Sequence, residues 1–256
     1  TFVCDGKYEV HSANGEYIRI TCLDHHGAIT AREALQYSCN DALSQMSEKI
    51  NTEYFLAKLK QLGFGSKTGI ELPGETAGLV KSTSDRLWSA RSKPTISIGQ
   101  EISVSALQMV RATTALTNGG VPANISVISR ITEMEGNDVF VHEPTYGERI
   151  FDSSTASYIL SCMESTAKSG TGHRAALGDV SIGVKTGTAQ MADMENGGYS
   201  ETDFLSSCVA VFPIDDPKII LYIVITKAQG ETYAGRIVAP VVAEAADVIL
   251  DHLGLF

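Results

Sequence analysis

The sequence predicts an α+β protein in which a mostly helical lobe, approximately residues 25–178, precedes an antiparallel sheet and a closing helix, approximately residues 179–256. Helical spacing of apolar residues dominates the first part of the chain. In the second part, a strand pattern of period 2 begins near Val180, and two continuous apolar runs follow it. Continuous runs of strand length predict a sheet that is covered on both faces. The two runs span residues 206–212 and 218–226 and predict a hairpin.

Length, composition and charge are those of one globular unit. The chain has 256 residues, of which 43% are hydrophobic and 20% are charged, so a substantial core can form. The formal net charge of −10 argues against non-specific binding to nucleic acid or to an anionic membrane surface. No apolar run approaches the roughly 18 residues that a membrane-spanning helix needs.

The first residues predict a hairpin and a loop. Strand-like residues 8–10 and 17–20 flank a predicted turn at Asn14-Gly15. His25 and His26 follow the hairpin. Adjacent side chains diverge, and no Glu or third His lies at a useful spacing, so we interpret them as loop residues rather than metal ligands.

Cysteine usage leaves two alternatives open. Five cysteines occur without a C-x-x-C pair, so a zinc or thioredoxin-like interpretation has little support. Cys4 and Cys22 flank the predicted hairpin, and both a disulfide in an oxidising compartment and two buried free thiols are compatible with the sequence. The five are Cys4, Cys22, Cys39, Cys162 and Cys208.

Local signals place the helices of the lobe. Thr30 and Glu33 form a capping box at the start of a helical pattern, which the poor helix formers at residues 38–40 interrupt. Ser103 is expected to cap a later helix that is apolar on most sides and forms the buried axis of the lobe. Further helices are predicted at residues 52–62, 154–168 and 238–253, a hairpin at residues 125–150, and a polar loop without regular structure at residues 191–204.

The strand that begins at Val180 carries a cation, a hydroxyl, a glycine and a second hydroxyl in succession. Lys185, Thr186, Gly187 and Thr188 suit an anionic ligand laid along the strand, because glycine leaves the backbone open to close approach. An ordinary strand end with a solvated lysine is the alternative for so short a motif. A phosphate-binding loop is excluded, because Val184 stands where lysine must directly follow the glycine.

Ser38-Cys39-Asn40 and Lys185-Thr186-Gly187 match the S-x-N and K-T-G motifs of serine acyltransferases that react with penicillins. With further motifs in the same order, the chain resembles the class B penicillin-binding proteins over nearly its whole length, of either the division or the elongation type. These further motifs are His26-Gly27, Glu33-Ala34-Leu35, Leu62-Gly63-Phe64-Gly65, residues 68–75, Ser97-Ile98-Gly99-Gln100, Ser103-Val104-Ser105, Leu107-Gln108, residues 117–120, Gly170-Thr171-Gly172 and Thr188-Ala189-Gln190.

The resemblance implies a penicillin-binding-protein or β-lactamase-like fold and a D,D-transpeptidase that cross-links peptidoglycan stem peptides. It implies that Ser38 relays a proton, that Asn40 binds the substrate backbone and helps to hold a catalytic lysine, and that Lys185 attracts the substrate carboxylate. Thr186 and Thr188 would donate their hydroxyls to that carboxylate, Gly187 would be a further substrate-binding residue, and the Thr188 N–H would form half of an oxyanion hole. Neither a cofactor nor a metal is expected.

The implied partners are peptidoglycan stem peptides, β-lactam antibiotics and proteins of cell-wall synthesis or division, with no nucleic acid. The parent protein is expected in the bacterial inner membrane, with this domain on the periplasmic side. Residues 1–256 would form a partial transpeptidase domain. The upstream part of the same protein, in the same or in a separate chain, is a further expected partner.

One departure from the family pattern concerns the third motif, S-x-x-K, which carries the nucleophile. No S-x-x-K precedes Ser38, and the match at residues 165–168 falls where the family has a non-catalytic helix end, so we assign Ser165 and Lys168 to a solvated helix face. The chain is therefore expected to begin downstream of its nucleophile and to lack two N-terminal sheet strands with a flanking helix. A serine β-lactamase and a non-catalytic β-lactam- or peptidoglycan-binding module are the alternatives.

Overall fold

The computed structural model describes residues 1–11, 15–193 and 195–255. The predicted turn residue Asn14 lies outside these ranges. The strands are β1 (Phe2–Cys4), β2 (Lys7–His11), β3 (Tyr17–Thr21), β4 (Gly27–Ile29), β5 (Leu79–Val80), β6 (Ile102–Ser103), β7 (Arg130–Thr132), β8 (Asp138–Val141), β9 (Gly183–Ala192), β10 (Tyr199–Phe212) and β11 (Ile219–Thr226). The helices are α1 (Ala31–Gln36), α2 (Asn40–Glu48), α3 (Thr52–Gln61), α4 (Ser92–Ser97), α5 (Ala106–Thr117), α6 (Ser153–Ser169), α7 (Ala234–Ile237) and α8 (Ala239–Leu253), with a 3₁₀ turn at His173–Ala175.

The main sheet has three antiparallel strands in the order β11-β10-β9. The central strand β10 is buried on both faces, as its continuous apolar run predicts. Ala210 and Phe212 pack in the core beneath α8, whereas Val209 and Val211 pack with Met163 of α6. The predicted hairpin of β10 and β11 is confirmed by its register, which pairs Phe212 with Ile219 and Leu205 with Thr226.

Two predictions about this sheet were wrong. Strand β9 begins at Gly183 rather than Val180, and the segment predicted as a structureless loop belongs partly to β9 and β10, where Ala192 pairs with Tyr199. These strand ends project beyond the core, so their residues are polar and carry no apolar alternation that a sequence pattern could detect.

The helical lobe follows the predicted order. Thr30 and Glu33 form the capping box of α1, and the chain leaves helical geometry between Gln36 and Asn40, as predicted. The cap of α5 is Ser105 rather than Ser103, because Ser105 has Gln108 at the third helical position and forms a capping box with it. Most residues of α5 are half-buried, so the expected buried axis is only partly realised.

Gln108 also explains why several motif segments lie together. Its side chain is fully buried, and its Nε2 donates to the carbonyl oxygens of Gly63, Ser66 and Ala77 at 2.7–3.2 Å. The fully buried amide of Gln108 needs such partners, because a buried polar group left unpaired costs roughly 1–3 kcal/mol. One side chain therefore fixes the loop after α3 against α5.

The N-terminal segment packs against α1 and α2. Strands β2 and β3 form the predicted hairpin, with Tyr8 opposite Ile20, and β1 pairs with β4. The separate hairpin of β7 and β8 is also confirmed. Among the described residues, no helix is both long enough and apolar enough to cross a bilayer.

Candidate active site

An open groove of about 1240 Å³ lies between the turn that joins α1 to α2 and the strand β9. Strand β9 is the edge of the sheet formed by the described residues, so its outer backbone groups face the groove. The groove is cationic although the protein as a whole is acidic. Only Asp24 contributes a carboxylate to its described lining, against five cations. The cations are Arg19, Arg91, Arg174, Lys185 and Arg236.

Ser38 and Lys185, which are 147 residues apart in the chain, meet in this groove. The Nζ of Lys185 donates to the Oγ of Ser38 at 2.8 Å and to the carbonyl oxygen of Thr186 at 2.6 Å. Burial lowers the pKa of Lys185 from 10.5 to about 8, a shift that the nearby Cys208 partly opposes. Lys185 can therefore be charged at neutral pH and lose its proton in mildly alkaline solution.

Ser38 lies in a strained turn. Its φ of 54° falls in the left-handed region, which costs a residue other than glycine about 1–3 kcal/mol. The backbone N–H of Ser38 donates to the carbonyl of Leu35, and that of Cys39 to the carbonyl of Ala34, so hydrogen bonds from α1 hold the turn. In this turn the Ser38 hydroxyl faces Lys185 and accepts its hydrogen bond.

Asn40 is the first residue of α2 and lines the same groove. Its Nδ2 donates to the carbonyl oxygen of Thr21 at 3.0 Å, which ties α2 to the end of β3. Among the described residues, the Asn40 amide has no hydrogen bond to Lys185. The resemblance assigns this amide to another lysine, the catalytic lysine of the S-x-x-K motif.

Residues 185–188 alternate between the two faces of β9. Lys185 and Gly187 share the face turned towards Ser38, whereas Thr186 and Thr188 point to the opposite face. The Oγ1 of Thr186 shares a 2.7 Å hydrogen bond with that of Thr171, and the Oγ1 of Thr188 accepts the backbone N–H of Ala234 at 3.0 Å. The exposed Gly187 leaves the middle of the strand open to a ligand.

Thr171 is a groove residue that the sequence analysis placed only within a motif. The flanking glycines bring it there, because a Cβ on Gly170 would lie 2.3 Å from the carbonyl oxygen of Gln36 and one on Gly172 would lie 2.2 Å from Val184 Cγ2. The glycines on both sides of Thr171 could have indicated that another segment packs closely here. They could not have indicated which segment it is. The arginines of the groove are likewise scattered along the chain, so no local pattern predicted them.

Ser165 and Lys168 lie on α6 and do not line the groove. Ser165 Oγ donates to the carbonyl oxygen of Ser161 and accepts from Arg32, and Lys168 forms an ion pair with Glu164 at 2.5 Å. The Lys168 side chain is 69% exposed. Among the described serines of the groove, none has a lysine three residues later. These serines are Ser38, Ser97, Ser169 and Ser207.

Known proteins resemble this chain over most of its length. A family model described as the penicillin binding protein transpeptidase domain matches residues 2–247. Stage V sporulation protein D of Bacillus subtilis is 29% identical over 255 residues, which cover 98% of this chain and 39% of that protein. The probable peptidoglycan D,D-transpeptidase PenA of Neisseria meningitidis is 30% identical over 213 residues, which cover 83% of this chain and 34% of that protein. The chain thus spans less than half the length of both relatives.

Solved structures have the same fold. Penicillin binding protein 3 of Mycobacterium tuberculosis in complex with aztreonam has a TM-score of 0.87 at 23% identity, over 99% of this chain and 57% of that one. The TP domain of Burkholderia pseudomallei penicillin-binding protein 3 has a TM-score of 0.82 at 24% identity, over 98% of this chain and 72% of that one. The predicted α+β fold class is therefore confirmed.

Proposed function

Because the chain belongs to the penicillin-binding protein transpeptidase family, we propose that it forms the substrate groove of a peptidoglycan D,D-transpeptidase. The observation that carries the proposal is the 2.8 Å contact between Lys185 Nζ and Ser38 Oγ, which joins the K-T-G and S-x-N motifs in a cationic groove beside an open strand edge. A stem peptide that ends in D-Ala-D-Ala is an extended chain with a carboxylate, and this groove offers a partner for both features.

The peptide adds to β9 as an antiparallel strand, so its main chain bonds to the exposed strand edge. Lys185 supplies the positive potential for the terminal carboxylate from one face of β9, and the Thr186 and Thr188 hydroxyls line the groove from the other face. The backbone N–H of Thr188 donates to the oxyanion that forms at the penultimate D-Ala carbonyl, a contact worth about 3 kcal/mol in comparable sites.

The reaction is acyl transfer through a serine ester. A serine hydroxyl attacks the penultimate carbonyl, the peptide bond to the last D-Ala breaks, and that D-Ala leaves with a proton on its nitrogen. Ser38, bonded to Lys185, relays this proton. The amine of a second stem peptide then attacks the ester, forms the cross-link and restores the serine. β-Lactams acylate the same serine.

The nucleophilic serine is supplied by a part of the protein outside these 256 residues. Support comes from the groove, in which no described serine has a lysine three residues later. The whole protein would be held in the bacterial inner membrane with this domain in the periplasm, where it would meet proteins of cell-wall synthesis or division.

Acylation by fluorescent penicillin tests the proposal. In the full-length protein, Lys185→Ala should lower the second-order acylation rate about 100- to 1000-fold, the range for loss of one electrostatic stabiliser. Lys168→Ala is the matched control, because it removes an exposed lysine outside the groove, and it should acylate at the unmodified rate. Equal rates for both variants would contradict the proposal.

Two further measurements define the reaction class. The 256-residue chain alone should carry no penicillin label after denaturation, and a labelled band would point back to Ser165. The full-length protein should hydrolyse a chromogenic cephalosporin slowly, after an initial burst of one product molecule for each enzyme molecule that is acylated. Sustained rapid turnover would instead indicate a β-lactamase.

A further inference from the structure

Four side chains that can bind a metal lie close together behind the S-x-N turn, which is the turn of residues 37–40 between α1 and α2. The sulfurs of Cys4, Cys22 and Cys39 and a ring nitrogen of His26 all lie within 4.8 Å of one another. They come from four places in the chain. Cys4 ends β1, Cys22 follows β3, His26 precedes β4, and Cys39 is the N-cap residue of α2. Sequence spacing gave no indication of this group, because no two of its members form a C-x-x-C pair.

Three of the distances within the group match those of a tetrahedral zinc site, and the remaining ones are no longer than 4.8 Å. Zn–S bonds of about 2.3 Å and Zn–N bonds of about 2.0 Å at tetrahedral angles place two sulfur ligands about 3.8 Å apart and a sulfur and a nitrogen about 3.5 Å apart. The Sγ atoms of Cys22 and Cys39 are 3.7 Å apart, and His26 Nδ1 lies 3.5 Å from Cys4 Sγ and 3.6 Å from Cys22 Sγ. All five cysteines are free thiols, so no disulfide competes for these sulfurs.

We propose that Cys4, Cys22, His26 and Cys39 bind one Zn²⁺ ion in a structural site that fixes the S-x-N turn. The donor set of three thiolates and one imidazole favours zinc among the common cations. Cys4 and Cys39 are fully buried, and Cys22 and His26 are half-buried. Four protein ligands leave no open position for water or substrate, which is the arrangement of a structural site rather than a catalytic one.

The surroundings suit bound thiolates. On binding, each of the three thiols releases its proton to solvent, and the site carries a net charge of −1. Cys39 Sγ accepts the backbone N–H of Ala42 at 3.4 Å at the N-terminus of α2, where the helix dipole stabilises negative charge. The ring of His26 stacks on Tyr37 at a centroid distance of 5.5 Å, which fixes its orientation.

The zinc site would compensate for the small hydrophobic core of this region. The buried residues here are few and small, with Ile29, Ala34 and Ala42 beside the two buried cysteines. The metal would cross-link β1, the end of β3, the loop before β4 and α2. This cross-link would stabilise the region in place of a larger core. Because Cys39 lies between Ser38 and Asn40, the same ion would hold both groove residues in position.

Zinc content of the purified full-length protein tests the inference. After dialysis against metal-free buffer, inductively coupled plasma mass spectrometry should find about one zinc ion per chain, and X-ray absorption at the zinc edge should show three sulfurs at ~2.3 Å and one nitrogen at ~2.0 Å. These measurements use the unmodified protein, so they do not depend on a variant that folds. A zinc-free protein with reactive thiols, or a Cys4–Cys22 disulfide found by non-reducing peptide mapping, would overturn the proposal.

Variants locate the ion. His26→Ala and Cys39→Ala should each lower zinc affinity roughly 100-fold or more in competition with a chelator, since even loss of an outer-shell partner costs 10- to 100-fold. Cys162→Ala is the matched control, because Cys162 is a buried cysteine of α6 outside the group, and it should retain the ion. Undiminished zinc in both ligand variants would contradict the assignment. Lys185→Ala should also retain zinc, so failure of the proposed acylation chemistry would leave this result unaffected.

Discussion

The two walls of the groove are held in place by different forces. The sheet wall, made of β9 and β10, rests on a continuous apolar core in which Val184, Phe212 and Leu250 are fully buried. The turn wall, residues 37–40, rests on a few small buried residues, on hydrogen bonds from α1 and on the thiol and imidazole group behind it. Damage to the sheet wall should therefore unfold the protein, whereas damage to the turn wall should misplace Ser38 in a protein that remains folded.

The largest effect is expected in the core of the sheet wall. Phe212→Ala should lower the free energy of unfolding by about 3–5 kcal/mol, because it leaves a cavity between the sheet and α8. Urea denaturation of the full-length protein measures the change. Phe140→Ala on the exposed β8 is the matched control and should cost less than about 1 kcal/mol. Equal losses would break the comparison, because the two sites differ chiefly in burial.

Gly172→Ala tests the junction of the two walls. Its Cβ would lie 2.2 Å from Val184 Cγ2, so the substitution should cost about 1–3 kcal/mol of stability by overpacking, and it should slow penicillin acylation by displacing Thr171. Gly178→Ala is the matched control, because nothing lies within 4 Å of its added Cβ. A Gly172→Ala variant as stable and as active as Gly178→Ala would show that this contact does not hold the walls together.

The pH dependence should separate charge on Lys185 from folding. A substrate or penicillin carboxylate binds the charged lysine, so the second-order acylation rate should be constant below the pKa of about 8 and should fall towards tenfold per pH unit above it. Stability should move the other way. The native pKa lies below the unfolded value of 10.5, so the unfolded state binds more protons between those values and stability rises with pH across that interval.

Lys185→Ala provides the control for this profile, since its residual acylation should lose the step near pH 8. An unchanged step in that variant would assign the ionisation to another group. Loss of activity in parallel with loss of stability would instead indicate unfolding.

The smallest effect concerns strain in the turn wall. Ser38→Ala and Ser38→Gly both remove the hydroxyl that accepts from Lys185, so both should slow acylation to a similar extent. Only glycine tolerates a φ of 54° at no steric cost, so Ser38→Gly should be more stable than Ser38→Ala by about 1 kcal/mol. Equal stabilities by thermal or urea denaturation would show that the turn is not strained.

Features that depend on residues close together in the chain were predicted more often than features that depend on distant residues. The capping box at Thr30 and the hairpin of β10 and β11 depend on residues a few positions apart, so their patterns were readable. The cap at Ser105 was missed although its partner is only three residues away, because Ser103 offered a competing signal. The ends of β9 and β10 were missed because polar strands outside a core have no distinctive pattern.

The sequence by itself determined the order of helices and strands, the fold class and the motifs through which family membership was recognised. These properties depend on periodicity, on capping residues and on short motifs that each segment carries alone. Only the tertiary structure decided that Ser38 meets Lys185 and that three cysteines and His26 face one another, because folding joins positions up to 147 residues apart. Side-chain distances of a few ångströms depend on how whole elements pack, and packing is a property of the complete fold.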